Sequence, residues 1–315
     1  MEQNIVEKLR EEAIGNLFNT KGFNAAWPIW SKKIKKLAPT PTPMQILSLG
    51  DHLKEIFYTT NTSTQRNQSD VSGGGANWEA LVCWYLNICL LERRTVVIKH
   101  HKSLIPKPIS DAISVNYGSF VSNTESDLIA ITFPNKKEYE IDKKLIDIFD
   151  DNGEKVPTII GKRKTKYNLL PVLNALVARD FAEIEIHIIQ CKTNWNDNSQ
   201  IPMLWDMIYS AKTFKTGISI GREGYSINNA RLFSYAFATV PTVKIEKFKP
   251  TSVAVERVKN LSGGNYWGLA TKSGVASSIK EMLERNLKSG DSNNHLTTIA
   301  KTIPKYSTEY AYFGL

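Results

Sequence analysis

One short run, IEIHIIQCK at 184–192, limits what this chain can fold into more than any other. Residues two apart share a face in an extended strand, so Ile184, Ile186, Ile188, Gln190 and Lys192 line up on one side. The β-branched residues and their alternation predict a strand over 183–192. Such a strand needs a covered sheet to receive its isoleucines. A core has use for the three aliphatic side chains but none for the amide and ammonium that follow. Gln190 and Lys192 are therefore candidate functional groups that meet something anionic.

The remaining pattern supplies the sheet and its cover. Ile5, Val6, Leu9, Ala13, Ile14 and Leu17 repeat at helical period over 3–18. A further helix is expected from Met44 to Phe57. A loop follows over 58–75, where YTTNTSTQRNQSDVSGGG has little to pack. The stretch 76–94 is apolar on almost all sides and predicts a helix deep in the core. Strands are expected at 95–100, 128–133, 217–221 and 235–240, with 111–120 a strand or a helix. Helices are expected over 167–181, from Asn198 or Ser199 through Ile208, and around Val275, Ile279, Met282, Leu283 and Leu287. A hairpin is expected at Asp151, Asn152 and Gly153. Strands alternating with helices predict an α/β fold, a central mixed β-sheet flanked by helices. The chain divides into a helical segment and loop at 1–75, a core at 76–240 with an insertion at 134–182, and an extension at 241–315.

Charge and cysteines narrow the partners. Lys and Arg outnumber Asp and Glu by 40 to 31, a formal net charge of +9. That excess favours polyanions, nucleic acid first and anionic membrane second. The apolar runs are too short to span a bilayer, and the charged start MEQNIVEKLREE is unlike a signal peptide. Cys83, Cys89 and Cys191 are odd in number, and Cys83 and Cys89 sit in an apolar helical pattern, as expected of buried thiols in a reducing, cytoplasmic setting. Five histidines form no zinc-like spacing.

Two acids complete the chemistry. Glu79 shares a helix face with Cys83, Leu86 and Leu90, and a carboxylate there needs a partner or a cation. Its other reading is a first-turn glutamate that favours the helix N-terminus. Asp127 stands at the mouth of the 128–133 strand on the face of Ile129 and Ile131, with Glu125 as a competing acid. Phosphodiester hydrolysis needs charge neutralisation at phosphorus, an activated water and a stabilised leaving oxygen. A divalent metal on oxygen ligands, with a lysine nearby, supplies these. Asp127, the Gln190 amide oxygen and the Cys191 main-chain carbonyl are candidate ligands, and Glu79 a further one, direct or through water.

Ser126-Asp127 followed by Gln190-Cys191-Lys192 resembles the PD-(D/E)xK nucleases, best known as type II restriction endonucleases. The resemblance implies a restriction-endonuclease-like core with helical N-terminal and mixed C-terminal additions. It gives metal binding to Asp127, metal or water positioning to Gln190 and catalytic support to Lys192. Glu79 matches the glutamate many members carry on the helix before the acidic strand. It further implies Mg2+, with Mn2+ able to replace it, double-stranded DNA as substrate, a homodimer, and products with 5′-phosphate and 3′-hydroxyl ends. Ser126 stands where the pattern has proline and Gln190 where it has a second acid, which shifts weight to Glu79. Asp127 and Gln190 are 63 residues apart, so the insertion must leave the sheet and return beside the strand it left.

DNA-contact candidates are the run Lys32, Lys33, Lys35 and Lys36, which otherwise reads as a solvated helix face, and Arg222 in GREGYS. Asn265 and Tyr266 in the glycine-rich SGGNYWG are the others, on a loop that reaches DNA or simply makes a tight turn. The alternatives to a restriction enzyme are a structure-selective repair or recombination nuclease with the same core, and a DNA-binding protein that no longer cuts.

Overall fold

The computed structural model describes residues 2–60, 68–99, 101, 103–117, 120–123, 126–161, 165–193, 218–241, 244–259 and 263–315. Helices α1 (Ile5–Phe18), α2 (Lys21–Leu37), α3 (Pro43–Ser48), α4 (Leu53–Tyr58) and α5 (Gln68–Cys89) come first. Strand β1 (Thr95–Lys99), helix α6 (Lys107–Ala112) and strands β2 (Ser114–Tyr117), β3 (Phe120–Asn123) and β4 (Leu128–Thr132) follow. The insertion carries the two-residue strands β5 (Ile159–Ile160) and β6 (Lys166–Tyr167) and helix α7 (Leu169–Asp180). Then come β7 (Glu185–Lys192), β8 (Ile218–Ile220), β9 (Leu232–Thr239), α8 (Val253–Lys259), β10 (Asn265–Trp267), β11 (Ser277–Ser278), α9 (Ile279–Arg285) and α10 (His295–Thr302).

The central sheet has the strand order β1-β4-β7-β9-β10-β11. The pairs β1–β4 and β4–β7 are antiparallel, and β7, β9, β10 and β11 run parallel, so the sheet is mixed. The alternation in β7 does what its sequence predicts. Ile184, Ile186 and Ile188 enter a core shared with α6, α7 and the start of α1. Ile189 and Cys191 enter the opposite core, built with α2, α4, α5, α9 and α10. Helix α5 is fastened to this second face by Asn87, whose amide exchanges two hydrogen bonds with the backbone of Val97 (3.1 and 2.7 Å). Trp78 adds a third attachment through its indole N–H to the Ala238 carbonyl (2.9 Å). Buried carbonyls and amides rarely stay unpaired, so these bonds set the rotation of α5 on the sheet.

Several expectations need correction. The helix expected over 44–57 breaks into α3, a 3-10 turn at Leu49–Asp51, and α4. The break sits at Gly50, where a Cβ would lie 2.4 Å from the Tyr85 hydroxyl and 2.7 Å from the Lys280 backbone nitrogen. Within the expected 58–75 loop, 61–67 lie outside the described residues, while 68–75 are helical and belong to α5. Packing of the apolar run beyond Ala76 extends the helix backwards despite its glycines, because propagation is far easier than nucleation. The SGGNYWG loop contains β10. Gly263 admits it to the sheet, since a Cβ there would fall 1.4 Å from the Tyr235 carbonyl oxygen. Val275 precedes the last strand, and the late helix begins only at Ile279.

The central sheet therefore crosses the expected boundary at 240, with β10 and β11 completing it. The segment 217–221 supplies β8 to a separate sheet of order β3-β2-β8. The hairpin at Asp151–Gly153 is present, with Gly153 at φ 77° and Phe149 bridged to Lys155. The helix expected from Asn198 or Ser199 and the competing acid Glu125 lie outside the described residues.

Candidate active site

Strands β4 and β7 are adjacent and antiparallel, with Leu128 opposite Ile189. One step further brings Asp127, just before β4, beside the end of β7. Its Oδ2 accepts the Cys191 N–H at 2.7 Å and lies 3.7 Å from Lys192 Nζ. The main-chain N–H and C=O of a strand residue point toward the same neighbour. The Cys191 carbonyl therefore faces the Asp127 side, whereas the Lys192 carbonyl turns to β9 and accepts the Val240 N–H (3.0 Å). Gln190 is buried, opposite Phe237 of β9, and shares its strand face with Ile188 and Lys192.

Glu79 is the twelfth residue of α5, so the first-turn reading is wrong. Its Oε2 lies 3.2 Å from Nζ of Lys99, the last residue of β1. Lys99 also donates to the Ala76 carbonyl at 2.8 Å, and its backbone is paired with Leu128, next to Asp127. Sequence reasoning missed Lys99. Two signals were present: a buried-helix glutamate requires a cation, and TVVIK ends in lysine just as the key strand does.

Among the described residues, the site thus gathers two carboxylates and two ammoniums at one end of the sheet. The Glu79, Lys99, Asp127 and Lys192 side chains keep between 13% and 23% of their surface exposed, reachable yet poorly solvated. Burial raises the Glu79 carboxyl above its ordinary range; Lys99 opposes the shift, Asp127 adds to it, and Lys192 opposes it further. The Cys191 thiol is pushed well up, first by burial and then by the negative charge of Asp127 and Glu79. It is a neutral packing group and no nucleophile.

Among the described residues, no three His, Cys, Asp or Glu side chains come together as a metal cluster. At this end of the sheet the described carboxylates are Glu79 and Asp127, with glutamine at 190. The oxygen donors at this end of the sheet are Asp127, Glu79 and the Cys191 carbonyl, with the Gln190 amide on the adjoining strand face. Hard oxygen donors around mutually repelling carboxylates suit Mg2+ or Mn2+ and do not suit a thiophilic ion.

The DNA-contact candidates fare unequally. Lys32, Lys35 and Lys36 are exposed on α2, while Lys33 pairs with Glu55 (3.0 Å). Arg222 is committed to buried Asp111 through Nε at 2.6 Å, which Lys107 also reaches at 2.6 Å. Asn265 and Tyr266 are buried in β10, and the Tyr266 hydroxyl donates to Asn286, so neither sits on an exposed loop. They line a cavity of about 320 Å³ together with Lys259, Arg285 and Asn286.

No protein-family profile, curated protein or solved structure matches this chain. Among the described residues no helix is long and apolar enough to cross a membrane.

Proposed function

We propose that this protein is a metal-dependent DNA endonuclease of the type II restriction kind. It would cut both strands of a specific sequence and leave 5′-phosphate and 3′-hydroxyl ends. One observation carries the reading. Asp127 and Lys192, far apart in sequence, lie 3.7 Å apart, and the same carboxylate receives the N–H of the residue between Gln190 and Lys192. The packing of an isoleucine face does not require that convergence.

In this reading Asp127, the Cys191 carbonyl and Gln190 hold Mg2+ or Mn2+, and Glu79 joins directly or through water. The ion, when bound, supplies charge neutralisation at the phosphoryl oxygens and lowers the pKa of a coordinated water. Lys192 has its ammonium fixed beside Asp127, where it orients the attacking water and offsets charge growing on phosphorus. Gln190 offers an oxygen without adding negative charge beside the phosphate. Lys32, Lys35 and Lys36, exposed on α2, are the cations that would contact the DNA backbone. A homodimer sets two such centres on opposite strands of a two-fold symmetric sequence.

The test is incubation with mixed-sequence plasmid and Mg2+, followed by sequencing of fragment ends, beside Asp127→Ala and Lys192→Ala. Discrete fragments are expected from the unaltered protein. Loss of Lys192 should lower the rate by about 10²–10³ while leaving DNA binding within a few fold. Unchanged cutting in both variants overturns the site. Preference for branched DNA points to a repair or recombination nuclease, and retention of DNA without cutting to a binding protein.

A further inference from the structure

Lys99 is the member of the cluster for which the nuclease resemblance offers no counterpart. Its ammonium is held by two bonds that do not depend on DNA or metal, to Glu79 Oε2 (3.2 Å) and to the Ala76 carbonyl (2.8 Å). Its backbone is fixed by pairing with Leu128 at the edge of the Asp127 site. Glu79 is in electrostatic reach of Asp127 and Lys192 as well as Lys99, so the four charges form one group. Among the described residues two are negative and two positive, so these four charges cancel. With an acid at 190 and no Lys99, three carboxylates would face one lysine. A phosphodiester would then meet net repulsion until a divalent ion arrived.

We propose that Lys99 is a positioning residue that holds Glu79 in place and cancels its charge, so that the site accepts a DNA phosphate before any metal binds. This rests on the nuclease reading above. Lys99 acts through Glu79 and need not touch the DNA. Removing Lys99 alone leaves a net negative site, whereas removing Lys99 and neutralising Glu79 together returns it to balance, with Asp127 facing Lys192.

The experiment measures binding of a labelled mixed-sequence duplex by fluorescence anisotropy at low salt and about pH 8, above the ordinary carboxyl range. It is run once in EDTA and once in Ca2+. The full-length protein is compared with Lys99→Gln, Lys99→Arg and the double variant Glu79→Gln/Lys99→Gln. In EDTA, Lys99→Gln should bind about fivefold more weakly, the scale of one unscreened charge near a phosphate. Lys99→Arg should bind like the unaltered protein, and the double variant should recover most of the loss. Ca2+ should narrow the gap between Lys99→Gln and the unaltered protein. Equal binding by Lys99→Gln in EDTA overturns the proposal. So does a double variant as weak as Lys99→Gln, the result of a merely structural role. Failure of the unaltered protein to bind duplex in either condition overturns the nuclease reading itself, and this proposal with it.

Discussion

Asp127 performs two tasks that two substitutions can separate. Its Oδ2 accepts the Cys191 N–H at 2.7 Å, and its charge faces Lys192 at 3.7 Å. Asp127→Ala removes both. A main-chain donor left without its acceptor costs about 1–3 kcal/mol, and a bond to a charged acceptor contributes at the upper end of that range. The Asp127 side chain is 19% exposed, so water reaches the vacated position in part. The lower half of the range, about 1–2 kcal/mol, is the expected cost. The partly exposed ion pair with Lys192 adds less than about 1 kcal/mol. Asp127→Asn keeps an oxygen at the Cys191 N–H while losing the charge, and should cost less than about 1 kcal/mol. With a urea slope of about 3 kcal/mol/M, the alanine variant, at about 1–3 kcal/mol in total, should unfold about 0.3–1 M earlier and the asparagine variant less than about 0.3 M earlier. Both should lose cleavage by about 10² or more. Wild-type cleavage by Asp127→Asn would refute the role of the charge. An unmoved midpoint for Asp127→Ala would refute the role of the hydrogen bond.

Three further outcomes test the fold that carries the site. Arg10 is fully buried, forks onto Glu7 (3.1–3.2 Å), and bonds Asn87 (3.1 Å) and the Arg93 carbonyl (2.8 Å). Arg10→Met strands the Glu7 charge and should cost about 3–5 kcal/mol, read as a lowered thermal midpoint. Gly50→Ala forces a methyl group against Tyr85 and Lys280 and should cost about 1–3 kcal/mol in urea unfolding. Burial pushes the Cys83 thiol up to about 12 from an unfolded value of 9.0. The unfolded chain releases this proton first, so its contribution is complete below about pH 9 and declines as pH rises toward 12. Urea midpoints should therefore fall across that window, and a Cys83→Ala variant should show a shallower fall; an equally steep fall removes Cys83 as a cause.

Strands β1, β4 and β7 were legible because alternation of β-branched residues is a local signal that tertiary packing strengthens. Asp127 and Lys192 were legible for the same reason, as polar groups at the ends of apolar strands. Lys99 was not, because its meaning lies in contact with a helical turn about twenty residues earlier in the chain. A helix glutamate in need of a cation and a lysine ending TVVIK are each visible, but nothing local pairs the one with the other. Strand β10 was hidden more thoroughly. Three residues between glycines have no periodicity, and their strand character comes from the Gly263 approach to Tyr235 and the pairing with β9. The same burial that makes β10 a strand moved Tyr266 from a candidate surface contact to a core ring.

The way the insertion closes shows why its length matters little. Four residues beyond β4, Lys136 reaches Asp180 (2.7 Å) and Glu183 (2.6 Å), which lie just before β7. Arg179 pairs with Glu138 (2.7 Å), and the Tyr139 hydroxyl donates to Asp180 (3.0 Å). Burial pushes the Asp180 carboxyl upward, but bonds from Arg179, Lys136 and Tyr139 outweigh it and hold that carboxyl below its ordinary value. The staple therefore persists into mild acid. It joins the point where the chain leaves β4 to the point where it enters β7. The residues between can lengthen at about 0.6 kcal/mol per doubling without moving either strand. What brings Asp127 to Lys192 is the register of five consecutive pairs, from Leu128 with Ile189 to Thr132 with Glu185. A slip of one residue would turn Gln190 and Lys192 onto the other face and send three isoleucines after them. The apolar face that first marked this strand also fixes where its amide and ammonium must point.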